Sequence, residues 1–565
     1  LTAFQPIIDA LRAAYPHLRA EDISIGQPPK LAMGDVAVPL FLAAKHLGTL
    51  PPRLAAEMVE QVSFGPLVRE VRAAGPYLNL KLDRGRFIRA IVSEVLRSGA
   101  RFGAGNTGAG QRMLIEHTSI NPNASPHVGR ARNAMVGDSL TRLFRFEGYA
   151  VEVHYYVNDI GKQIGLLVLL ADEIANLEFK QVLDAYVAAN ARAEQDEAFA
   201  AAGYALLARM EEGDAETAEK FRRVVDLCLA GQLAVLARIG VAYDVFDRES
   251  KYLADARLAT VEAALREKGA LFTDEEQRLV VDLSKLGHEG EAGRYFVLRR
   301  ANGSSMYGYR DLAYTMDKMS RGAAVNLIVL GEDHKLYFQQ LCMILAAAGM
   351  PAPEPVYYSY ILLRSGKMST RQGKVVLLSD FLDEAEARAA ERVAEQCKDL
   401  SEAEQALIAR QIAVGAVRFA VLRVNASKNV TFDLETALSF SGDTGPYLQY
   451  CCARIRSILR KHNAPLPETP SEDFPADADA EWLLAMKIAA FPEVVAAAVQ
   501  ERNTAPIAVY ALELAHLFTG FYHDCPVLTA ETTALREARL LLCQATLQTM
   551  QNALGILGIE APERM

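Results

Sequence analysis

One stretch limits what this chain can become more than any other. Residues 113–119 form a short apolar, strand-like run. A proline-broken polar loop comes next at 121–129, and then a helical pattern from about 130 to 147 that stops at Gly148. A strand that ends in such a loop and opens a helix is the first half of a βαβ unit. It points to an open sheet with helices against it. The N–H groups at the start of a helix lack partners within the helix and attract anions. His127 stands just before that start, and Gly129 brings no side chain that would hold a ligand off. A nucleotide phosphate suits such a place.

The pattern then repeats. Residues 151–157 read as a second strand, and Asn158-Asp-Ile-Gly-Lys-Gln163 leads into another helix. Asp159 reads as a helix cap as readily as a site residue. Residues 171–236 are helical and mixed in charge. Short β-like runs appear at 279–283 and 295–299. Residues 326–330 form an apolar strand of the parallel-sheet kind, ending in Gly331-Glu-Asp-His334 and a helix at 336–348. A strand is expected at 356–363, and the polar turn Arg364-Ser-Gly-Lys-Met-Ser-Thr-Arg371 after it.

Two further regions flank this core. Residues 1–105 read as a small α+β module, with helices near 7–15, 38–46 and 52–62 and β-like runs at 68–73 and 77–82. The glycine-rich 103–110 lacks the Lys-Ser/Thr of a phosphate-binding loop and reads as a linker. From about 380 the pattern is helical, a bundle of five or six helices. The domains are placed at 1–105, 106–390 and 391–565.

Bulk properties exclude several classes. A net charge of −10 argues against a protein that coats nucleic acid indiscriminately. The seven cysteines are scattered and never spaced Cys-x-x-Cys, so neither a disulfide framework nor a structural zinc site is expected. No apolar run reads as a membrane span, and the first residues do not form a secretory signal. The scattered cysteines read as buried free thiols in a reducing cytoplasm, and a monomer is expected.

Two motifs carry a resemblance. His127-Val-Gly-Arg130 and Lys367-Met-Ser-Thr-Arg371 are similar to the His-Ile-Gly-His and Lys-Met-Ser-Lys-Ser signatures of class I aminoacyl-tRNA synthetases. With them come Glu116, Asn121, the 155–163 motif, Tyr307-Gly-Tyr-Arg-Asp311, the 440–450 segment and the ending at 557–565. Gly34-Asp-Val-Ala37 and Gly75-Pro-Tyr-Leu-Asn79 add to the match. In this order, across almost the whole chain, they resemble the arginyl-tRNA synthetases.

The resemblance implies a Rossmann-like class I catalytic domain between an N-terminal α+β tRNA-docking domain and a C-terminal all-helical anticodon-binding domain. It implies L-arginine, ATP with Mg2+, and tRNA(Arg) as partners, and activation that waits for bound tRNA. His127, Arg130 and Lys367 would be catalytic, and His127, Gly129, Arg130, Lys367, Met368, Ser369 and Arg371 would hold ATP. Glu116, Asn121, Gln163, Tyr307, Asp311 and His334 would hold arginine, His334 reading equally well as a structural histidine. Carboxylates suit a planar, five-donor cation, but spacing leaves open which of Glu116 and Asp311 meets it. Tyr447, Gln449, Arg454, Arg456 and Arg460 would face tRNA, although for Tyr447 and Tyr450 core packing is the favoured reading.

Adenylate formation needs alignment and charge stabilisation, and each well-aimed donor supplies roughly 3 kcal/mol. The chain departs from the signatures at Arg130 and Thr370, and Ala124 stands where many relatives carry a lysine. Arg130 or Arg371 would supply the missing charge. Little room remains between the signatures for an editing domain. A paralogue serving another acceptor and a non-catalytic RNA-binding descendant are the alternatives. Intact His127, Lys367, Glu116 and Asp311 weigh against the second, and the tRNA-facing domains against the first.

Overall fold

A computed structural model describes residues 4–122, 125–363, 377–472 and 474–565. At its centre is a five-stranded parallel sheet: β1 (Arg112–Glu116), β2 (Ala150–Val157), β3 (Val245–Arg248), β4 (Val325–Gly331) and β5 (Glu354–Tyr358). The order is β5-β4-β1-β2-β3, and every pairing is parallel. Strand order reverses at β1, so a crevice opens between the carboxyl ends of β1 and β4, where such sheets bind ligands. Three helices border it: α1 (Val128–Phe146), α2 (Tyr307–Met319) and α3 (Lys335–Ala347). Both faces are covered, which is why β1 and β4 read as apolar runs.

The strand expected at 356–363 is two strands. β5 ends at Tyr358, and β6 (Ile361–Leu363) leaves the sheet to pair in parallel with β7 (Val430–Phe432). The break has a physical cause. The buried guanidinium of Arg132, on α1, donates to the carbonyls of Ser359 (2.6 Å), Tyr360 (3.3 Å) and Asn425 (3.1 Å), turning them out of the ladder.

In the N-terminal module, the helix expected at 38–46 is a strand followed by a helix. Val36–Pro39 pairs with Tyr77–Leu82, which pairs with Val68–Ala74, and the helix is Phe41–Leu47. A continuous apolar run gives neither period alone, and Pro39 separates the two states. In the 103–110 segment, Gly105 N–H and Thr107 Oγ1 donate to the Glu147 carboxylate at 2.8 Å each, closing the loop onto the end of α1.

The C-terminal region holds six helices longer than two turns among the described residues. They include α4 (Glu402–Leu422), α5 (Gly445–His462), α6 (Ala505–Asp524) and α7 (Thr533–Ile556). Glu402–Leu422 and Asp479–Glu501 are long and apolar enough to cross a bilayer by length and composition. In the first of them Arg418 is fully buried. Its guanidinium donates to Asp138 of α1 and to the carbonyls of Ile239 and Leu557, both at 2.7 Å. Asn552 on α7 donates to the carbonyls of Gly99 and Phe102. A single apolar core runs through all three regions, and a second lies under 252–298, α2 and α3.

Candidate active site

The exit from β1 is built under strain. Thr118 and Ser119 both take positive φ, 83° and 50°, which is costly for a β-branched residue. Several bonds hold it there. Asn133 Oδ1 accepts from Thr118 N–H (2.9 Å), while Asn133 Nδ2 donates to the Val329 carbonyl of β4 (3.0 Å). Tyr243 donates to Thr118 Oγ1 (2.6 Å), and Tyr155 OH accepts from Ile120 N–H (2.9 Å). Asn133 thus links the two strand ends that flank the crevice. Gly137, one turn on, lies against the His117 ring, where a Cβ would sit 2.2 Å from the nearest atom.

His127 caps α1. Its Nδ1 accepts from Arg130 N–H at 3.3 Å, which places the proton of the neutral ring on Nε2 as a donor. Burial and the Arg130 charge lower its pKa to about 4, so the ring is neutral at pH 7. The His127 backbone bridges to Leu377, and Leu378 N–H donates to Pro126 O (2.8 Å). The chain after the second signature therefore passes beside the first. Lys367, Met368, Ser369, Arg371 and Thr370 lie outside the described residues, as does Ala124.

At the carboxyl end of β1 three carboxylates gather around Tyr156. Glu116 ends β1 and is buried, and Lys318 of α2 donates to it. Asp311, two turns earlier on α2, accepts from Tyr337 OH (2.8 Å). Burial and the Glu116 charge push its pKa up to about 6. A third carboxylate, Glu249, accepts from Arg310 Nε (2.6 Å). Burial, with Asp311 and Asp159 nearby, pushes it up to about 7 against the pull of Arg310. The Tyr156 hydroxyl is buried without a hydrogen-bond partner among the described residues, and Glu249, Asp311, Arg310 and Glu116 all act on it. Sequence reasoning missed Glu249, Asn133 and Lys318. Glu249 follows a short edge strand with no periodic signal, and the other two sit inside helices where their types are ordinary.

The remaining arginine-site candidates are arranged less tightly. Tyr307 is 57% exposed and its ring lies 5.2 Å from that of Tyr337. The side-chain amides of Asn121 and Asn158 meet at 3.2 Å. His334 is exposed beyond the carboxyl end of β4, 3.8 Å from Asp333. Gln163 is exposed on the first turn of the helix Lys162–Val168. Asp159 is not a cap: its carboxylate accepts from Ser250 N–H (2.8 Å) and Oγ (2.6 Å), steadying the turn that carries Glu249.

In the C-terminal region, α5 and α6 border a basic groove of about 780 Å³, lined by Tyr450, Arg454, Arg460, Lys461, Tyr522 and Arg564 among others. The Arg454 guanidinium lies over Tyr450 (4.7 Å) and Tyr522 (5.4 Å). The other candidates on α5 behave differently. Gln449 is fully buried and donates to the carbonyls of Gln411 and Glu560, an internal tie that no nucleic acid reaches. Arg456 spends its donors on the Ala561 and Pro562 carbonyls and Glu563, fixing the C-terminal tail. Tyr447 packs inward with its hydroxyl on Thr519, whereas Tyr450 faces the groove.

Comparison with known proteins agrees with this architecture. The family "tRNA synthetases class I (R), catalytic domain" matches residues 91–434, the "Arginyl tRNA synthetase N terminal domain" residues 4–82, and the "DALR anticodon binding domain" residues 448–565. Arginine–tRNA ligase of Methanocella arvoryzae is 38% identical over 93% of this chain and 92% of its own length. The chain belongs to the class I arginyl-tRNA synthetase family. The same-named protein of Methanopyrus kandleri is 36% identical over 99% of this chain and 96% of its own. The arginyl-tRNA synthetase structure of Thermus thermophilus superposes with a TM-score of 0.79 at 30% identity, covering 99% of both chains.

Proposed function

We propose that the protein joins L-arginine to tRNA(Arg) in two steps. An arginine carboxylate oxygen attacks the α-phosphorus of ATP, giving arginyl-adenylate and releasing pyrophosphate. A hydroxyl of the terminal tRNA ribose then attacks the arginyl carbonyl, and AMP leaves. What supports this reading is that Glu116, Asp311 and Glu249 gather around the Tyr156 hydroxyl, with Glu116 at the end of the strand that leads to the anion-attracting start of α1. The carboxylates would hold a guanidinium, and the helix start phosphates.

In this reading Asp311 and Glu249 receive the guanidinium with Tyr156 and Tyr307 as further acceptors, and Glu116 and Asn121 serve the amino end. Gln163 and His334 would close the mouth of the crevice. Neutral His127 donates from Nε2 to a phosphate oxygen, Gly129 lets ATP approach α1, and Arg130 adds a forked cation. Lys367, Met368, Ser369 and Arg371 would complete the phosphate contacts, with Mg2+ arriving on ATP. Arg130 or Arg371 stands in for the lysines absent at Ala124 and Thr370. Arg130→His that speeds adenylate formation would remove Arg130 from that role.

The groove at Tyr450, Arg454 and Tyr522 would take anticodon bases by stacking and charge, and the N-terminal module would dock the rest of the tRNA. The enzyme would work as a cytoplasmic monomer without a membrane, and activation would wait for tRNA. Charging total tRNA with each labelled amino acid tests the reading: incorporation of arginine above all others is expected, and none would overturn it. Arginine-dependent pyrophosphate exchange without tRNA would overturn the tRNA requirement alone.

A further inference from the structure

The pocket is not a plain cluster of acids. On or beside α2 it holds three carboxylates, Glu116, Asp311 and Glu249, and two cations, Arg310 and Lys318, while Asp159 beyond Glu249 has its own cation in Arg248 at 4.0 Å. Glu249 has Arg310, whose guanidinium is also tied to the carbonyl (2.6 Å) and hydroxyl (3.0 Å) of Ser305. Glu116 has Lys318, whose ammonium lies 4.6 Å from the centre of the Tyr314 ring and is 1% exposed. Asp311 forms no ion pair among the described residues, and its one hydrogen-bond partner there is the Tyr337 hydroxyl.

A lysine this deeply buried is costly unless it meets an opposite charge. Its place at the end of α2 gives it one carboxylate to meet. It takes no part in the chemistry described above. The arrangement leaves the cavity one positive charge short of balance, which is what a single guanidinium supplies. Were Lys318 absent, Glu116 would compete with Asp311 for the incoming cation, and the guanidinium would have two places to settle. Burial and Glu116 push the Asp311 carboxyl up to about 6, against the Tyr337 hydrogen bond first and then the pull of Lys318 and Arg310.

Resting on the arginine-binding reading, we infer that Lys318 is a positioning and specificity residue. It is the permanent counter-ion of Glu116, setting the cluster at one net negative charge and leaving Asp311 as the unpaired one of the two carboxylates that receive the guanidinium. It touches neither substrate nor ATP, and acts through Glu116.

The test is a comparison in which removing a second residue improves on removing the first. Glu116→Gln alone leaves a buried ammonium and a neutral pocket, so the KM for arginine should rise by about thirtyfold or more. Adding Lys318→Met returns the pocket to one net negative charge. The double variant should recover at least about tenfold in KM for arginine, while KM for ATP and for tRNA stay within about threefold throughout. A Lys318 that only supports packing cannot improve arginine binding by its removal, so a double variant no better than Glu116→Gln overturns the inference. If Glu116→Gln does not fold, the double variant against the wild type carries the test. KM for arginine within about tenfold of wild type supports the inference, and loss of arginine saturation overturns it. The wild-type control separates the two readings. Failure to charge tRNA with arginine would remove the proposed function itself, whereas normal charging beside an unrescued double variant removes only the role of Lys318.

Discussion

Two buried charge systems, one around Arg418 and one around Tyr156, differ in one respect. Around Arg418, one guanidinium meets Asp138, with two carbonyls taking its other donors, and Arg142 also pairs with Asp138. Burial pushes the Asp138 carboxyl up, but the two guanidiniums outweigh that and hold it below the usual carboxylate range. Around Tyr156, three carboxylates face two cations, and two of the carboxyls are held well above their usual range. The first system is satisfied from within and joins four chain segments, at 138–142, 239, 418 and 557. The second is left short of a cation and is open at the crevice. Charge balance, more than burial or charge count, separates the joint from the site.

The comparison breaks most readily at the joint. Arg418→Met leaves Asp138 buried without its main partner, so stability should fall by about 3–5 kcal/mol, read by denaturant melts. KM for arginine in the remaining folded fraction should not move. Asp311→Asn should do the reverse. The kcat/KM for arginine should fall by about a hundredfold, the loss of one charged hydrogen-bonding pair of about 3 kcal/mol. The melting temperature should hold or rise, because a costly buried carboxylate is gone. If Asp311→Asn melts as early as Arg418→Met, the two systems are of one kind and the contrast fails.

Acid sharpens the same contrast. As pH falls from 7.5 through about 7 and about 6, Glu249 and then Asp311 take protons and the pocket loses its pull, so KM for arginine should rise over that window. The groups facing Asp311 there are Glu116, Lys318, Arg310 and Tyr337, and the two carboxyls raised into the window are Glu249 and Asp311. Stability should run the other way. A carboxyl whose folded pKa is raised binds more protons folded than unfolded, so its penalty is present above pH 6 and eases as pH falls toward 4. Asp138 has the opposite sign: its contribution is present above the unfolded carboxylate range and is lost only as pH drops through its depressed folded value. Arginine titrations and melts across pH 5–8 read both. The smallest effect belongs to the basic groove. Tyr522→Ala removes one face over Arg454 and should raise KM for tRNA by about fivefold, with KM for arginine unchanged.

How much of this was legible beforehand depended on the range of the interaction. The strand–loop–helix at 112–146, the glycine stop and β4 follow from local period and punctuation, and their bounds agree with the sequence within a few residues. Glu116 and Asp311 were legible by resemblance to a motif. Splitting of the 356–363 run into β5 and β6 was not, because its cause is Arg132, more than two hundred residues away in the chain. Gln449 and Arg454 stand five positions apart on one helix with equally polar side chains. Only the packing of α5 against α4 and the C-terminal tail shows that one is an internal tie and the other faces a groove. Lys318 and Glu249 belong to the same class: ordinary residues given their role by what the fold sets beside them.

Citrulline, the neutral isostere of arginine, probes the missing cation directly. Transfer of labelled arginine and labelled citrulline to total tRNA, measured side by side in the wild type and in Asp311→Asn, tests the central claim. The wild type should favour arginine by about a thousandfold or more in kcat/KM, because citrulline leaves the buried carboxylate without its charge partner. Asp311→Asn should shrink that preference by at least about tenfold. Comparable charging with both by the wild type, or an unchanged preference in Asp311→Asn, would contradict an arginine site built on one uncompensated carboxylate.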